Sequence, residues 1–371
     1  MSFFIALTSG SFVEHVVRER CLWCSSLCLY LEVICYLTVG LESFEKGIWY
    51  DGDSLTNIVW VANPNAPLFG NSVSLSIDDY GSLNISYTKV GPSISLYTGQ
   101  EASNCSAVLL DTGNFVLHEL NSDGTVKRDL WQSFDYPTDT LLPGMKLGFS
   151  SEQAWSLKSW RSDVVPDTGS FTFGKNKDSK PGNEFTIMWH EDKYWAGGFS
   201  QEEGYQHKPI NGFTLQDQRG SFYAFSKISN ENETYFSYSA NKDIKTFPRL
   251  RIDYLGKLYL GERLLVQCNT SSPASNEGCV KQELPECRGP DITFAERSGY
   301  FVDNDGFEFH ADDNLTHMDC QDKCLKVCSC VAFAPSMTDG TGCNIWTTVP
   351  NFQMSENASK VYFLEYKGKA T

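Results

Sequence analysis

The sequence is poor in positive charge. It contains 30 lysines and arginines against 46 aspartates and glutamates, so its formal net charge is −16. Nucleic acids and anionic membrane surfaces bind proteins through basic patches that neutralise phosphate or lipid charge. The composition therefore argues against nucleic acid as a partner, and no run of like charge is long enough to form an acidic tail.

Motifs for catalysis and for cofactor binding are also missing. The six histidines form no HExxH pattern, and the chain has no G-x-S-x-G elbow, no P-loop and no G-x-G-x-x-G loop. The protein-kinase signature set is likewise not in this sequence. We therefore expect a non-catalytic protein with no catalytic residues, no cofactor and no metal site.

Cysteine, in contrast, is abundant and clustered. Four of the 13 cysteines lie in an apolar N-terminal segment, and most of the others lie in the last third of the chain. Such crowding predicts disulfides and an oxidising compartment. Six N-glycosylation sequons also favour a secreted or extracellular protein. Their asparagines are Asn84, Asn104, Asn232, Asn269, Asn314 and Asn357.

Residues 1–42 form an apolar, cysteine-rich segment. Basic residues precede an apolar run, residues 21–41, which Glu32 interrupts. Because its length is near the lower limit for a membrane span, we predict a leader sequence or a signal anchor. The pair Cys21 and Cys24 also fits a redox or zinc site, but no second ligand pair or βαβ pattern accompanies it.

From residue 46 onward, short strands alternate with turn residues, and the pattern repeats. Trp60, Leu96 and Trp131 lie in similar strands that are 36 and 35 positions apart. A fixed period of this size is typical of one supersecondary unit repeated around a shared core. Three such units closing on themselves predict a β-prism-like body, with Trp60 and Trp131 in its core.

The stretch 130–148 is predicted to join two β-rich bodies. It begins as a strand and continues with Pro137 and the pair Pro143-Gly144, which restrict and punctuate the backbone. Asp135 and Asp139 are favourable turn residues. No group in this stretch is a candidate catalyst.

Four motifs give the chain a resemblance to a known family. They are Gly47-Ile-Trp-Tyr50, Val59-Trp-Val-Ala-Asn-Pro64, Leu109-Leu-Asp-Thr-Gly-Asn-Phe-Val-Leu117 and the WQSFDYPTDT sequence that begins at Trp131. The chain resembles the plant G-type (bulb-type) lectin domain and, more narrowly, S-locus glycoproteins and S-domain receptor-like kinase ectodomains without the kinase. Strands that the family places ahead of Gly47 are expected to be mostly absent here.

The resemblance implies a mainly β fold with tandem bulb-lectin-like β-prisms, the first one N-terminally truncated, and a small disulfide-rich α+β PAN/apple domain. The expected bulb-type lectin-like domain is 43–150, and the second, S-locus glycoprotein domain is 151–262. A cysteine-containing linker at 263–290 stands where the family often has an EGF-like module. The PAN/apple domain is expected at 291–371.

Two sequence patterns support a duplicated β architecture without reference to the family. Trp189 and Trp195 bracket a short polar turn, which is typical of a β-hairpin. The Ile-Asp-x-x-Gly-x-Leu pattern of 77–83 recurs at 252–258.

The cysteine spacing in the last eighty residues predicts a helix. Cys320, Cys324 and Cys328 follow an i, i+4, i+8 pattern, which places them on one helix face. Thr316 and Asp319 just ahead of them have the spacing of a capping box. A helix with cysteines on one face can be joined by disulfides to a small sheet.

The resemblance to PAN domains also implies a disulfide pattern, in which Cys328 pairs with an upstream cysteine and Cys287 is the candidate. The other implied pairs are Cys320–Cys343 and Cys324–Cys330. Zinc binding by the same cysteines is the alternative, which the sequons and the acidic composition disfavour.

Bulb-type lectins bind mannose through a Gln-x-Asp-x-Asn-x-Val-x-Tyr strand. Here Asn114 and Val116 match this motif. An earlier strand, aligned so that Asp79 stands against Thr112, contributes Asp79. These three are the candidate carbohydrate-binding residues of a degenerate site. Loss of two or more hydrogen-bonding groups, each contributing about 1–3 kcal/mol, abolishes a weak sugar site. We therefore interpret Asp79 and Asn114 mainly as turn or ladder residues. The other motif positions are occupied by Leu110, Thr112 and His118.

These patterns lead to one functional hypothesis and two alternatives. The first is a non-catalytic extracellular recognition module that binds a protein or glycan ligand, or forms homo- or heterodimers with S-domain receptor kinases, in defence or pollen recognition by analogy. We expect it to be secreted or on the apoplastic face of the plasma membrane, with membrane contact only through an uncleaved N-terminal segment. The alternatives are a functional mannose-binding lectin and a truncated receptor-like serine/threonine kinase ectodomain.

Overall fold

The structure is a computed structural model of the 371-residue chain. The described residues are 7–8, 12–13, 29–38, 41–50, 58–66, 68–69, 74–86, 93–99, 104–175, 184–198, 223–241, 247–268, 278–281, 283–289, 292–302, 307–309, 315–348, 351–356 and 358–366. Side chains are described at these positions except within 7–50, where only 47 and 48 are included, and at 68–69 and 307–309.

Strands β1–β12 build the first part of the chain. Their bounds are β1 Leu7–Thr8, β2 Phe12–Val13, β3 Leu29–Thr38, β4 Leu41–Tyr50, β5 Ile58–Val61, β6 Leu68–Phe69, β7 Ser74–Ile77, β8 Leu83–Ser86, β9 Ser93–Tyr97, β10 Cys105–Leu109, β11 Phe115–Leu120 and β12 Val126–Gln132. Two sheets have the strand orders β1-β10-β11-β12 and β2-β7-β8-β9, and a third contains β3-β4-β5 with β6 paired to β4. Three antiparallel sheets are what the predicted threefold repeat requires.

The N-terminal strands correct one prediction. Strands ahead of Gly47 were expected to be mostly absent, but β1 pairs antiparallel with β10, β2 pairs with β7, and β3 forms a hairpin with β4. The expectation failed because the apolar run at 21–41 has the composition of a leader as well as that of a strand. Whether residues 1–42 also act as a leader stays a prediction.

Large aromatic side chains fill the core of this first set of sheets. Trp60 and Trp131 are buried, and their ring centroids lie 6.0 Å apart in an edge-on arrangement. The Phe115 ring also packs edge-on against Trp131, and the ring of Tyr136 stacks on it. Such pairs add about 0.5–1.5 kcal/mol each to the burial of their area. Leu96, the middle member of the predicted period, is half-buried on β9.

Strands β13–β24 follow. Their bounds are β13 Thr140–Leu141, β14 Leu147–Ser150, β15 Ala154–Trp155, β16 Leu157–Trp160, β17 Thr168–Lys175, β18 Phe185–Trp189, β19 Asp192–Gly197, β20 Tyr223–Ser229, β21 Glu233–Ala240, β22 Leu250–Ile252, β23 Leu258–Leu260 and β24 Arg263–Val266. They form three further four-stranded sheets, ordered β13-β22-β23-β24, β15-β14-β21-β20 and β16-β17-β18-β19. The predicted hairpin between Trp189 and Trp195 is confirmed as β18–β19.

The recurring Ile-Asp-x-x-Gly-x-Leu pattern folds into the same turn twice. The carboxylate of Asp78 accepts hydrogen bonds from the backbone N–H groups of Tyr80 and Ser82, at 3.0 and 2.8 Å. The carboxylate of Asp253 accepts the equivalent bonds at 2.9 and 2.8 Å. Gly81 and Gly256 have φ values of 83° and 72°, a region that side chains disfavour and glycine adopts freely.

Strands β25–β30 and helix α1 form the last part of the chain. Their bounds are β25 Ile292–Phe301, β26 Phe307–Phe309, α1 His317–Lys326, β27 Ala332–Ala334, β28 Asn344–Trp346, β29 Phe352–Met354 and β30 Lys360–Tyr366. The six strands form one sheet, ordered β26-β28-β27-β30-β25-β29. Helix and sheet pack together through buried residues that include Cys320, Cys324 and Phe333.

Helix α1 begins as the sequence predicts but ends two residues before Cys328. Thr316 and Asp319 form the predicted capping box. The helix ends at Lys326, and Val327 is already in an extended conformation. Cys328 therefore lies beyond the helix, so the prediction that it shares a helix face with Cys320 and Cys324 is wrong.

The chain divides into two compact units. The first contains residues 1–157, 213–251 and 259–263, and the second contains 158–212, 252–258 and 264–371. The predicted domain at 151–262 contributes to both units. Among the described residues, none of the helices has the length and apolar character needed to cross a membrane.

Candidate ligand-recognition site

Asn114, the best match to the sugar-binding motif, forms hydrogen bonds within the first unit. Its side chain is buried, and its amide nitrogen donates to the side-chain oxygen of Gln132 at 2.8 Å. Its amide oxygen accepts from the Ser133 hydroxyl at 3.3 Å and from the backbone N–H of Phe134 at 3.2 Å. Both polar atoms of Asn114 thus hold the turn before β11 against the WQSFDYPTDT sequence.

The other motif positions on this strand are also occupied by protein contacts. Val116 is buried and lies opposite Gln132 in the β11–β12 ladder. His118, at the position of the motif tyrosine, lies 2.7 Å from the carboxylate of Asp129. The hydroxyl of Thr112 accepts a 3.4 Å bond from the backbone of Asn114, although Thr112 itself is exposed. The strand therefore offers few polar groups to a sugar.

Asp79 lies elsewhere than the sequence alignment put it. The backbone N–H of Gly81 donates to the Asp78 carbonyl, and that of Gly113 donates in the same way to Leu110, so the two glycines occupy one turn position. The predicted alignment of Asp79 with Thr112 is therefore shifted by one residue. A shift of one residue exchanges the two faces of a strand. Asp79 is exposed in the turn between β7 and β8.

Four disulfides join the C-terminal part of the chain. The pairs are Cys268–Cys279, Cys287–Cys328, Cys320–Cys343 and Cys324–Cys330. The last three are the pairs that the resemblance to PAN domains implies. With their sulfur atoms in disulfides, these cysteines are not placed as zinc ligands.

The predicted linker at 263–290 is attached at two places within the second unit. Near Cys279, the backbone bonds between Ala196 and Gly278 and between Val280 and Tyr194 pair this segment antiparallel with β19. Farther on, the buried guanidinium of Arg288 donates to the carbonyls that end helix α1. A cation is favourable at a helix C-terminus, where carbonyls lack helical partners. The acceptors are the carbonyl oxygens of Cys324, Leu325, Val327 and Cys330.

Sequence reasoning identified Asp319 only as a capping residue, but its carboxylate also joins two parts of the second unit. One oxygen accepts from the hydroxyls of Ser170 and Thr316 at 2.7 and 2.8 Å. The other accepts from the Trp189 indole N–H at 3.0 Å and lies 2.8 Å from Nε2 of His190. Burial alone would raise the pKa of Asp319, but the hydrogen bonds with Ser170, His190 and Thr316 hold it below its usual value.

A second contact involves His317, two residues before Asp319 on the same helix. His317, the first residue of α1, is buried among aromatic rings, with the Tyr362 centroid at 4.5 Å and that of Phe333 at 5.2 Å. Tyr254, in the turn after β22, contacts it edge-on at 6.4 Å. We call these contacts, together with those of Asp319, the α1 joint. No local pattern could have revealed it, because Asp319 and Ser170 are far apart in sequence.

The structure describes three of the six sequon asparagines. Asn232 is exposed in the β20–β21 turn, and Asn104 is exposed just before β10. Asn84 is half-buried on β8, and its amide points at Asp78 and at the Ser82 carbonyl, both at 3.4 Å. The predicted sequons at Asn269, Asn314 and Asn357 lie outside the described residues.

Two protein-family models match segments of this chain. The family model for D-mannose binding lectin matches residues 57–161, and the model for the PAN-like domain matches 303–349.

Whole-chain relatives are plant proteins. The Arabidopsis thaliana G-type lectin S-receptor-like serine/threonine-protein kinase CES101 is 36% identical over 87% of this chain and 42% of its own length. A second Arabidopsis G-type lectin S-receptor-like kinase is 35% identical over 86% of this chain and 38% of its own length. The S-locus-specific glycoprotein S6 of Brassica oleracea is 28% identical over 81% of this chain and 78% of its own length.

The chain thus spans about two-fifths of the length of the receptor kinases that it matches, and about four-fifths of the S-locus glycoprotein. The protein carries a bulb-type lectin domain and a PAN-like domain, and its homologues are the S-locus glycoproteins and the G-type lectin S-receptor-like kinases.

Proposed function

We propose that this chain is a non-catalytic extracellular recognition module that binds a protein or glycan ligand, or a related S-domain receptor, in cell-surface signalling. The observation that carries the proposal is that both polar side-chain atoms of Asn114 are hydrogen-bonded within the protein, to Gln132, Ser133 and Phe134. A lectin scaffold whose key asparagine holds the core together is suited to recognition by its outer surface, because fold and site chemistry are separable.

The disulfides and the sequons support an extracellular location. Four disulfides persist only in an oxidising compartment. We place the protein in the secreted or plasma-membrane-associated fraction, on the apoplastic face, with glycans at the exposed Asn104 and Asn232. We retain the domain limits 43–150, 151–262, 263–290 and 291–371 as part of the proposal.

A binding experiment with purified ectodomains tests this function. The glycosylated chain is immobilised and exposed to soluble ectodomains of G-type lectin receptor kinases, and to itself, in a surface-plasmon-resonance panel. We expect saturable binding to at least one of them with a Kd of about 10 μM or tighter, as for a transient signalling contact. A chain that stays monomeric and binds none of them contradicts the proposal.

A functional mannose-binding lectin is the second candidate, and the match to the mannose-lectin family model favours it. A glycan array distinguishes the two candidates. Mannoside binding that disappears in a Thr112→Val or Asp79→Ala variant of unchanged stability supports the lectin. These exposed positions are better probes than Asn114, because substituting a buried, hydrogen-bonded asparagine also disturbs folding.

A truncated receptor-kinase ectodomain is the third candidate, since the chain covers only part of the receptor-kinase relatives. Mapping transcripts through both ends of the coding sequence tests it. Reads that continue into a kinase-coding exon support this candidate.

A further inference from the structure

The α1 joint contains a histidine in surroundings that disfavour a positive charge. His317 is 9% exposed and is packed between the rings of Tyr254, Phe333 and Tyr362. It is also the first residue of helix α1, where the helix dipole presents its positive end. An imidazolium here would lose its hydration and face an unfavourable dipole.

The ionisable groups around His317 come from three other elements. Glu296 on β25 would favour its charged form, whereas Lys360 on β30 and Lys257 in the turn after β22 oppose it. Glu296 is itself paired with Lys360 at 2.8 Å, which weakens its attraction for a protonated His317. Burial raises the pKa of the Tyr362 phenol, so this ring carries no negative charge that could stabilise an imidazolium. The surroundings therefore leave a protonated His317 without adequate compensation.

We propose that the α1 joint is an acid-sensitive switch, in which protonation of His317 releases the start of helix α1 from the turn that carries Tyr254. The contact between the His317 and Tyr254 rings joins the helix to the second lectin-like region. A protonated His317 gains hydration by moving into solvent, and this contact is then lost. Helix α1 carries two disulfide cysteines, Cys320 and Cys324, so the covalent links keep the released segment attached to its sheet.

The other histidine of the joint, His190, lies in different surroundings. The side chain of His190 is 60% exposed, and its Nε2 lies 2.8 Å from the Asp319 carboxylate. Asp319 stays ionised in mild acid because hydrogen bonds lower its pKa. Acid therefore opens the His317–Tyr254 contact while the His190–Asp319 contact is kept. Of these two contacts in the joint, only the one between His317 and Tyr254 is lost in acid.

The pH window follows from the sign of the His317 shift. Burial lowers the pKa of His317 from 6.5 to about 4, so the closed joint binds fewer protons than the open one. Its full stability is present above pH 6.5 and is lost as the pH falls towards 4. At a factor of ten for each unit of pKa, the opening equilibrium constant rises by up to about 300-fold across this window.

Hydrogen–deuterium exchange of the intact, disulfide-bonded chain tests the switch. Peptides covering α1 and the turn 252–258 are followed at pH 7 and pH 4.5, with correction for the intrinsic exchange rate. We expect their protection to fall at least tenfold at pH 4.5 in the wild type and to stay constant in His317→Phe, which fills the same aromatic cluster without titrating. The matched control His190→Gln should keep the wild-type response of α1. Equal acid responses in the wild type and in His317→Phe overturn the proposal.

A second measurement needs no substitution, so it does not depend on a variant that folds. The titration of the His317 ring protons in the wild-type chain is followed by NMR. A midpoint well below 6.5, together with shifts of the Tyr254 ring signals over the same range, supports the switch. A midpoint near 6.5, or Tyr254 signals that do not change, contradicts it.

Discussion

The amide of Asn114 donates a 2.8 Å hydrogen bond to Gln132, which joins the turn before β11 to the strand that begins the WQSFDYPTDT sequence. In mannose-binding members of the fold, the equivalent asparagine belongs to the sugar-binding motif. Here its side chain is buried in the first unit and hydrogen-bonded to protein groups.

Replacing Asn114 should therefore destabilise the protein. Asn114→Ala removes three hydrogen bonds and leaves Gln132, Ser133 and Phe134 with unsatisfied groups, which costs about 2–3 kcal/mol. Urea unfolding of the variant measures the loss. Asp79→Ala is the matched control in the neighbouring hairpin, and since Asp79 is exposed we expect a change within about 0.5 kcal/mol. Equal effects of the two substitutions would falsify the structural role of Asn114.

Substitutions at two glycines with similar backbone conformations distinguish the cost of backbone strain from the cost of a steric clash. Gly256 and Gly124 have φ values of 72° and 82°, but a Cβ at Gly256 would lie 2.7 Å from the Phe171 ring, whereas one at Gly124 meets nothing within 4 Å. We expect Gly124→Ala to cost about 1 kcal/mol from backbone strain alone. Gly256→Ala should cost about 3 kcal/mol, because overpacking of the core is added. Thermal unfolding measures both, and indistinguishable melting temperatures would refute the predicted clash.

Asp139 gives the first unit a pH dependence. The residue is buried, and burial raises its pKa from 3.8 to about 6, against the opposing effect of Arg251. The folded state thus binds the proton more tightly than the unfolded state. The contribution of Asp139 to the free energy of unfolding is complete below pH 3.8 and is lost as the pH rises through 6.

Asp139→Asn should remove this dependence. The amide carries no charge to bury, so the variant should exceed the wild type in stability at pH 8 by about 2 kcal/mol and match it near pH 4. The difference in unfolding free energy between variant and wild type, measured by denaturant titration from pH 4 to 8, isolates this residue from His317, whose effect has the opposite sign. A difference that does not change with pH would rule out the buried carboxylate as its cause.

Disulfide mapping tests whether the linker at 263–290 is bonded to the segment after helix α1. Digestion without reduction, followed by mass spectrometry, should give a cross-linked peptide containing Cys287 and Cys328 and another containing Cys268 and Cys279. Arg288 supports the first link, because its bonds to the carbonyls at the end of α1 hold residue 287 beside the helix. A peptide in which Cys287 is joined to Cys279 would contradict this arrangement.

Local features of the fold could be predicted from the sequence. The turn around Gly256 repeats a pattern read at Gly81, and the capping box at Thr316 marks the start of α1. Each depends on residues within a few positions of one another, where spacing and conformation are directly linked. The end of α1 could not be predicted because continued i, i+4 spacing favours a longer helix. In the structure the helix ends at Lys326, and the disulfide of Cys328 and the contacts of Arg288 lie at this end through residues distant in sequence.

Features that join distant segments could not be predicted. Asp319 was recognised as a capping residue, but its bonds to Ser170 and Trp189 cross more than a hundred residues of sequence. The candidate sugar residue Asp79 was misplaced by one position because alternation along a strand does not reveal where the turn begins. The hydrogen bonds of Gly81 and Gly113 fix that point.

The most direct test of recognition without the mannose motif compares two ligands on one sample of folded, disulfide-bonded chain. Methyl-α-mannoside is titrated to millimolar concentration by isothermal calorimetry, and the panel of S-domain receptor ectodomains is then measured on the same preparation. We predict no heat of mannoside binding and saturable binding of an ectodomain. Stoichiometric mannoside binding, with no ectodomain bound, would contradict the proposed function.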